Sequence, residues 1–268
     1  MNRTRLHWAL IAGTAAAVGV GAALGTRAIT QLVDSTLPDA RGIASFNRPG
    51  TITLLSSQGK IIQKLGPATR EKIKSGAMPL VVQNAFIAAE DRRFFQHDGV
   101  DVWGIARAVV TNVRQGAVRE GASTITQQLA RIVFLSQDRT ITRKLKEAAL
   151  ALKLERQLSK QQILEQYLNY VYLGSGAYGV SDAAWIYFSK TTDQLTVAEA
   201  ALIAGLPPAP SIYSPLVNPD LARKQRALVL DRMAQAGSIS RVEAERASAS
   251  PLALKPATPK YFNSSAPY

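Results

Sequence analysis

The residues best suited to chemistry in this chain form a twelve-residue block that begins with Glu90 and Asp91. Six of the twelve are charged at neutral pH, and the block follows a largely apolar run over 80–89. A glutamate at the end of a buried helix loses hydration, which raises its pKa toward a value useful for a general base. The adjacent Arg92 and Arg93 can pair with an anion. The block therefore indicates acid/base chemistry on an anionic substrate. The alternative interpretation is a helix end that is closed by surface salt bridges.

A second polar block lies at 121–128, with the sequence GASTITQQ. Thr124 and Gln127 have the Thr-x-x-Gln spacing of a capping box, which predicts that a helix begins here. Capping alone needs one hydroxyl and one glutamine, whereas this block has three hydroxyls and two adjacent glutamines. Two interpretations stay open: a well-capped helix, or exposed N–H groups, hydroxyls and amides that bind an anion or a sugar.

A third segment, 139–160, is strongly basic, with seven lysines and arginines against two glutamates. Its apolar residues at 145, 148, 149 and 152 follow an i, i+3, i+4, i+7 pattern, which predicts a helix that buries this stripe. Glu147 and Arg143 then lie on the solvent-facing side. Glu147 is either an ordinary salt-bridge partner of Arg143 or a carboxylate that orients cations around a diphosphate.

The rest of the chain supplies the elements that must position these residues. Turn signals predict a small hairpin near 51–62, and periodic apolar segments separated by Gly and Pro predict an all-α domain over 79–250. The predicted helices are 81–90, 102–114, 123–135, 142–157, 160–172, 180–188, 197–204, 221–236 and 240–247. Residues 28–78 are interpreted as a membrane-proximal connector, and the proline-rich residues 251–268 as a tail or linker. His97 is interpreted as a turn or packing residue.

The composition of the chain limits the classes of partner that it is expected to bind. The chain has 268 residues and 32 Lys and Arg against 19 Asp and Glu, a net charge of +13, which suits an anionic partner. It contains no cysteine, so disulfides and thiolate metal sites are excluded. Nucleic acid is not expected, because no zinc-ligand, RNA-motif or bZIP-like pattern is present.

The amino terminus predicts export. Residues 8–25 are 18 uncharged, mostly apolar residues preceded by Arg3 and Arg5. That length can span a membrane with the amino terminus inside, so residues 1–27 are predicted to be a short cytoplasmic tail and a transmembrane anchor. A cleaved signal peptide is the alternative; the retained anchor is favoured because the apolar run exceeds the usual ~7–15 residues of a signal core.

Taken together, the blocks resemble the family 51 glycosyltransferases, the peptidoglycan glycosyltransferases of bacterial cell-wall synthesis. Five segments carry the resemblance in the family's order: 90–101, 121–128, 143–147, 163–174 and 195–207. The resemblance implies a lysozyme-like helical domain with a membrane-embedded lobe, anchored in the inner (cytoplasmic) membrane with its catalytic domain on the outer side. It also implies polymerisation of lipid II, with inversion at the anomeric carbon and release of polyprenyl pyrophosphate.

The same resemblance implies roles for individual residues. Glu90 would be the general base, and Glu147, 57 residues later, the second carboxylate that supports the donor pyrophosphate. Residues implied to bind substrate are Asp91, Arg92, Ser123, Thr124, Gln127, Gln128, Arg131, Arg139, Arg143 and Lys144. A divalent cation, Mg²⁺ or Mn²⁺, is an expected option, and no organic cofactor is expected. The pair Arg131-Ile132 departs from the Lys-Asn common in the family, so turnover or inhibitor binding is expected to differ.

Two other functions remain as alternatives. A lysozyme-like hydrolase also needs a catalytic glutamate but has no need of the basic helix, and an inactive homologue would bind lipid II or act as a scaffold. The expected partners are lipid II, the nascent glycan chain, the membrane and a cell-wall synthesis complex. The carboxyl terminus resembles the junction at which bifunctional penicillin-binding proteins continue, so the chain is either a monofunctional enzyme or part of a longer one.

Overall fold

The computed structural model describes residues 38, 43, 52–65, 72–73, 76–115, 123–135 and 141–256. Across these residues the protein is almost entirely helical, as the sequence predicts. The helices are α1 (Leu80–Glu90), α2 (Val102–Gln115), α3 (Ile125–Phe134), α4 (Ile141–Gln157), α5 (Lys160–Tyr170), α6 (Val180–Phe188), α7 (Val197–Ala204), α8 (Pro210–Tyr213), α9 (Pro219–Gln235) and α10 (Arg241–Ala249). None of the helices in the described part could cross a membrane. The predicted anchor over 8–25 and the site residue Arg139 lie outside the described residues.

The predicted hairpin is confirmed. Strand β1 (Ile52–Leu55) pairs with β2 (Ile61–Leu65) in an antiparallel ribbon. The backbone N–H groups of Gln58 and Lys60 both donate to the Ser56 hydroxyl, and Gly59 adopts a positive φ of 76° that closes the turn.

The core forms around two helices that are apolar on most of their surface, α1 and α7. Helix α1 packs against α7 and α9, while α3 packs against α4 and α5. Phe86 of α1 meets Tyr167 of α5 edge to face, with ring centroids 6.1 Å apart, and both side chains are fully buried. Because α1 is held on several sides, its carboxyl end, where Glu90 lies, is fixed relative to α3, α5 and α9.

Three of the α-helices begin at residues whose side chains form a capping box. The capping box predicted at Thr124 and Gln127 is confirmed at the start of α3, and equivalent boxes begin α5 and α7. Each cap satisfies backbone N–H groups that the helix itself leaves free, a contribution of about 1 kcal/mol per cap. The α3 cap also fixes where its first residues meet the end of α1.

The prediction of which face of α4 is buried is wrong. The buried side carries Glu147, Leu150, Ala151 and Leu154, whereas Leu145 is 68% exposed and Leu152 is 43% exposed. Both stripes have the same i, i+3, i+4, i+7 spacing, so the apolar pattern did not distinguish them. Glu147 can be buried because two cations one helical turn earlier pair with its carboxylate.

Candidate active site

A cleft of about 370 Å³ opens beside the carboxyl end of α1. Four arginines contribute to its lining, from the loop after α1 and from α2, α3 and α9: Arg92, Arg107, Arg131 and Arg232. Glu90 and Asp101 line it as well, and Pro207, Pro208 and Tyr213 form a more apolar wall. The cleft therefore places a carboxylate among several positive charges, an arrangement that suits an anionic ligand.

Glu90 is held by a hydrogen-bonded chain that starts in the core. Its Oε2 accepts a hydrogen bond from Gln128 Nε2 at 2.7 Å, and Gln128 Oε1 accepts one from the Tyr167 hydroxyl at 3.1 Å. Burial raises the pKa of Glu90 above its ordinary value, although the Gln128 hydrogen bond and the charges of Arg232 and Arg131 act in the opposite direction. A carboxylate with a raised pKa, fixed in a cleft, can accept a proton from a hydroxyl.

The Tyr167 hydroxyl keeps its proton and acts as a hydrogen-bond donor. Burial, together with the nearby Glu90 carboxylate, raises the pKa of Tyr167 well above its ordinary value. The Tyr167 hydroxyl donates a hydrogen bond to the side-chain carbonyl oxygen of Gln128. The side-chain amide nitrogen of Gln128 is therefore the end that faces Glu90. Gln128, predicted to bind substrate, lines the cleft and also orients Glu90.

Asp91 borders the cleft, but most of its side chain is buried. It is 6% exposed; both carboxylate oxygens lie 3.0 Å from His97 Nε2, and Oδ2 also accepts from the N–H of Ile125 at 3.0 Å. His97 Nδ1 accepts from the N–H of Gly99, which leaves Nε2 as the donor to Asp91. Asp91 therefore joins the end of α1 to the start of α3, and its contact with substrate stays a prediction.

The block before α3 is used mainly for helix capping. Thr124 and Gln127 are buried and bonded to each other through the cap, and the Thr124 hydroxyl donates to the carbonyl of Gly99 at 2.6 Å. Ser123 is half-buried at the cleft edge and accepts a hydrogen bond from Lys144 Nζ at 2.8 Å. Ser123 and Gln128 are thus the members of this block best placed to meet a ligand.

Glu147 pairs with the two cations that the sequence placed beside it. One carboxylate oxygen meets Arg143 Nη1 and the other meets Lys144 Nζ at 2.9 Å. Glu147 is 1% exposed, whereas the side chain of Lys144 is 46% exposed and reaches Ser123. The buried carboxylate therefore fixes the positions of Arg143 and Lys144. The side chain of Lys144 extends from this ion pair toward the cleft.

No metal-binding cluster of three or more His, Asp or Glu side chains occurs among the described residues. The oxygens of Glu147 are engaged by Arg143 and Lys144, and those of Asp91 by His97 and Ile125. These carboxylates therefore do not form a preformed divalent-cation site, and the divalent cation stays a prediction.

Sequence reasoning missed two arginines of the cleft, Arg107 and Arg232. Arg107 lies in α2 and Arg232 in α9, 142 residues after Glu90, and neither belongs to a block with recognisable chemistry. The pattern around each is that of an ordinary amphipathic helix, so no local signal distinguished them from surface cations.

An unusually apolar surface lies near the site. Val102 and Trp103 of α2 are 69% and 71% exposed, and Leu145 and Leu152 of α4 are exposed as well. The loop before α2 approaches α4 at Gly99, where an added Cβ would come within 2.8 Å of the Ala151 backbone. Large exposed apolar residues grouped in this way indicate contact with a membrane or another protein.

Comparison with known proteins gives a consistent result. The sequence model of a family described as transglycosylase matches residues 58–234. Penicillin-binding protein 1A of Neisseria lactamica is 49% identical over 211 residues, which cover 79% of this chain and 26% of that protein. Penicillin-binding protein 1A of Aquifex aeolicus is 44% identical over 219 residues, which cover 82% of this chain and 30% of that protein.

A solved structure, penicillin-binding protein 1A from Haemophilus influenzae, also matches, with 24% identity and a TM-score of 0.45. The match covers 80% of this chain and 22% of that one. The chain thus spans about a quarter of the length of the relatives it matches.

Proposed function

The chain belongs to the transglycosylase family, and we propose that it is a peptidoglycan glycosyltransferase that polymerises lipid II into glycan strands. One observation carries this proposal: Glu90, with a raised pKa, lies in a cleft lined by four arginines. A hydroxyl acceptor needs a base, and a pyrophosphate leaving group needs cations more than it needs an acid.

In the proposed reaction, Glu90 removes the proton from the 4-hydroxyl of the acceptor GlcNAc. The resulting oxygen attacks the anomeric carbon of the lipid-linked donor chain from the face opposite the pyrophosphate. The new glycosidic C–O bond forms as the bond to the pyrophosphate oxygen breaks, so the configuration at that carbon inverts. The leaving group departs with both electrons of the broken bond, and the proton stays on Glu90 until solvent removes it.

The second carboxylate acts through its cations. Glu147 lies behind Arg143 and Lys144 and keeps their charged groups in place, and Lys144 extends to Ser123 at the edge of the cleft. We propose that these cations receive the donor pyrophosphate and stabilise the charge that grows on it as the bond breaks. Arg139, which precedes α4 in the sequence, is proposed to contribute to the same group.

The experiment that tests this function compares two substrates. The purified full chain in detergent is given labelled lipid II, and in parallel it is given preformed glycan strands. A transferase lengthens the first into polymer and leaves the second intact, whereas a hydrolase shortens the second. Failure to form polymer while lipid II still binds would favour the scaffold alternative.

The same assay tests the proposed divalent cation. Polymer formation is measured with added Mg²⁺, with added Mn²⁺, and with a chelator. A rate that rises with either metal and falls with the chelator supports a cation that accompanies the pyrophosphate. Equal rates in all three would remove it from the account.

We further propose that the domain has a lysozyme-like arrangement and that the apolar surface of α2 and α4 enters the outer leaflet of the inner membrane. In this orientation the anchor predicted over 8–25 would hold the domain at the membrane, and the net charge of +13 suits anionic lipid headgroups. The lipid tail of the substrate would then reach the cleft without leaving the bilayer. A cell-wall synthesis complex remains a proposed partner.

Trp103 reports on this membrane contact directly. In a chain whose other tryptophans are replaced (Trp8→Phe, Trp185→Phe), reconstituted into vesicles that contain brominated lipid, we expect Trp103 emission to be strongly quenched. The reason is that an exposed indole on an inserted face lies within reach of the acyl chains. A matched control removes Trp103 as well (Trp103→Phe) and carries Val242→Trp in α10, at a position 64% exposed, and should stay unquenched. Unquenched Trp103 would place α2 outside the bilayer.

A further inference from the structure

Arg232 contacts the backbone next to the proposed base. Its Nη1 donates a hydrogen bond to the carbonyl oxygen of Ala89 at 2.6 Å. Ala89 is in the last turn of α1, where carbonyl groups have no partner within the helix and carry partial negative charge. The guanidinium therefore stabilises the end of α1 at the residue immediately before Glu90.

Helix α9 holds the other side of Glu90 as well. One turn after Arg232, the side chain of Gln235 accepts a hydrogen bond from Arg92 Nη1 at 3.3 Å. The segment Ala89–Arg92 is thus attached to α9 both before and after the glutamate. Since α9 also packs along α1, the Arg232 contact lies within a packed helix pair, whereas the contact between Arg92 and Gln235 is at the surface.

Arg232 also belongs to the charge environment of Glu90. The charged and titratable groups that face Glu90 are Asp91 beside it, Arg131 of α3, Tyr167 of α5 and Arg232 of α9. Arg92, Asp101 and Arg107 lie elsewhere in the cleft lining. Among these groups, Arg232 exerts the largest charge effect on the pKa of Glu90, and it lowers that pKa. Arg131 acts in the same direction, and Asp91 in the opposite one.

We propose that Arg232 is a positioning residue for Glu90, because its guanidinium fixes the last turn of α1 and places a permanent positive charge beside the carboxylate. The inference rests on the proposed function, in which Glu90 acts as the base. It assigns a part in the chemistry to α9, which begins 12 residues after the last sequence block that carries the family resemblance.

The first test uses Arg232→Met and Arg232→Lys in the full chain, with the rate of glycan synthesis measured from acidic to alkaline pH. For Arg232→Met we expect the acidic limb of the kcat profile to move to higher pH, so that the loss of rate is largest on the acidic side and smallest on the alkaline side. KM should change little. Arg232→Lys keeps the positive charge but loses the planar guanidinium. The acidic limb of its rate profile should therefore lie closer to that of the wild type than the limb of Arg232→Met does.

Arg223→Met is the matched control, since Arg223 is a cation of the same helix that is 52% exposed and paired only with the exposed Asp220 among the contacts seen. Its rate profile should equal that of the wild type. A rate lowered by the same factor at every pH in Arg232→Met, with the limb unmoved, would mean a purely structural role and would overturn the proposal. An unchanged profile would overturn it too.

The second test needs no turnover. Thermal unfolding is measured for the wild type, Glu90→Gln, Arg232→Met and the double variant across pH. A carboxylate whose pKa is raised on folding destabilises the folded state when it is ionised, so Glu90→Gln should stabilise the protein at neutral pH and have no such effect below the unfolded pKa. The stabilisation should be larger in the Arg232→Met background, because the positive charge that offsets the buried carboxylate is gone. Equal stabilisation in both backgrounds contradicts the proposal, whereas coupling without glycan synthesis by the wild type would contradict the proposed function alone.

Discussion

Glu90→Gln is expected to abolish glycan synthesis while leaving the binding of lipid II largely intact. The substitution keeps the shape of the side chain and its hydrogen bond from Gln128, but it removes the only group in the proposed reaction that takes the acceptor proton. Loss of a general base typically lowers a rate by ~10²–10⁴-fold. The measurement is the initial rate of polymer formation from labelled lipid II, with binding measured separately by retention of lipid II on the immobilised protein.

A fold defect is separated from a chemical one by thermal unfolding and by a control variant. Glu90→Gln should unfold at the wild-type temperature or above it at neutral pH, because the ionised carboxylate is partly buried with a raised pKa. Glu245→Gln, an exposed position in α10, should leave the rate unchanged. Turnover near the wild-type level in Glu90→Gln would remove Glu90 from the role of base.

Glu147→Gln is expected to lose both activity and stability, which distinguishes it from Glu90→Gln. A neutral amide leaves Arg143 and Lys144 without the carboxylate that holds them, and the two cations then repel each other. Breaking a buried pair costs ~3–5 kcal/mol, and we expect less, on the order of 1–3 kcal/mol, because the side chain of Lys144 is 46% exposed. Polymerisation rate per folded molecule and the free energy of unfolding are the two measurements.

Asp220→Asn is the matched control for this prediction. Asp220 pairs with Arg223 in an exposed ion pair on α9, so its loss should change stability little and activity not at all. Full activity of Glu147→Gln would reduce Glu147 to an ordinary salt-bridge partner. Restored stability without restored activity in a second variant, Glu147→Asp, would assign the carboxylate's position, and not only its charge, to the reaction.

The parts of the site that were predictable from sequence depend on local patterns. The position of Glu90 at a helix end follows from the apolar run before it, and the start of α3 follows from the capping box at Thr124. The contact of Glu147 with Arg143 and Lys144 follows from spacings of four and three residues on one helix. In each case the partners are close in sequence, so one short segment contains the whole interaction.

The parts that were not predictable depend on distant residues. The buried face of α4 was assigned incorrectly because burial of Glu147 depends on neutralisation of its charge, while the apolar stripe with Leu145 and Leu152 is left on the surface. The hydrogen bond from Arg232 to Ala89 joins residues 143 positions apart, and the chain from Tyr167 through Gln128 to Glu90 joins three helices. Periodicity within a segment contains no information about such contacts.

The central claim is that Glu90 works as a base in its ionised form, and the pH dependence of lipid II polymerisation by the wild-type protein tests it most directly. Burial raises the pKa of Glu90, so the rate should fall as the pH drops through that raised pKa, while lipid II binding stays constant over the same range. The opposite limb, a rate that falls as the pH rises through this pKa, would mean that Glu90 acts in its protonated form as an acid. That result would contradict the account, in which Glu90 acts as the base.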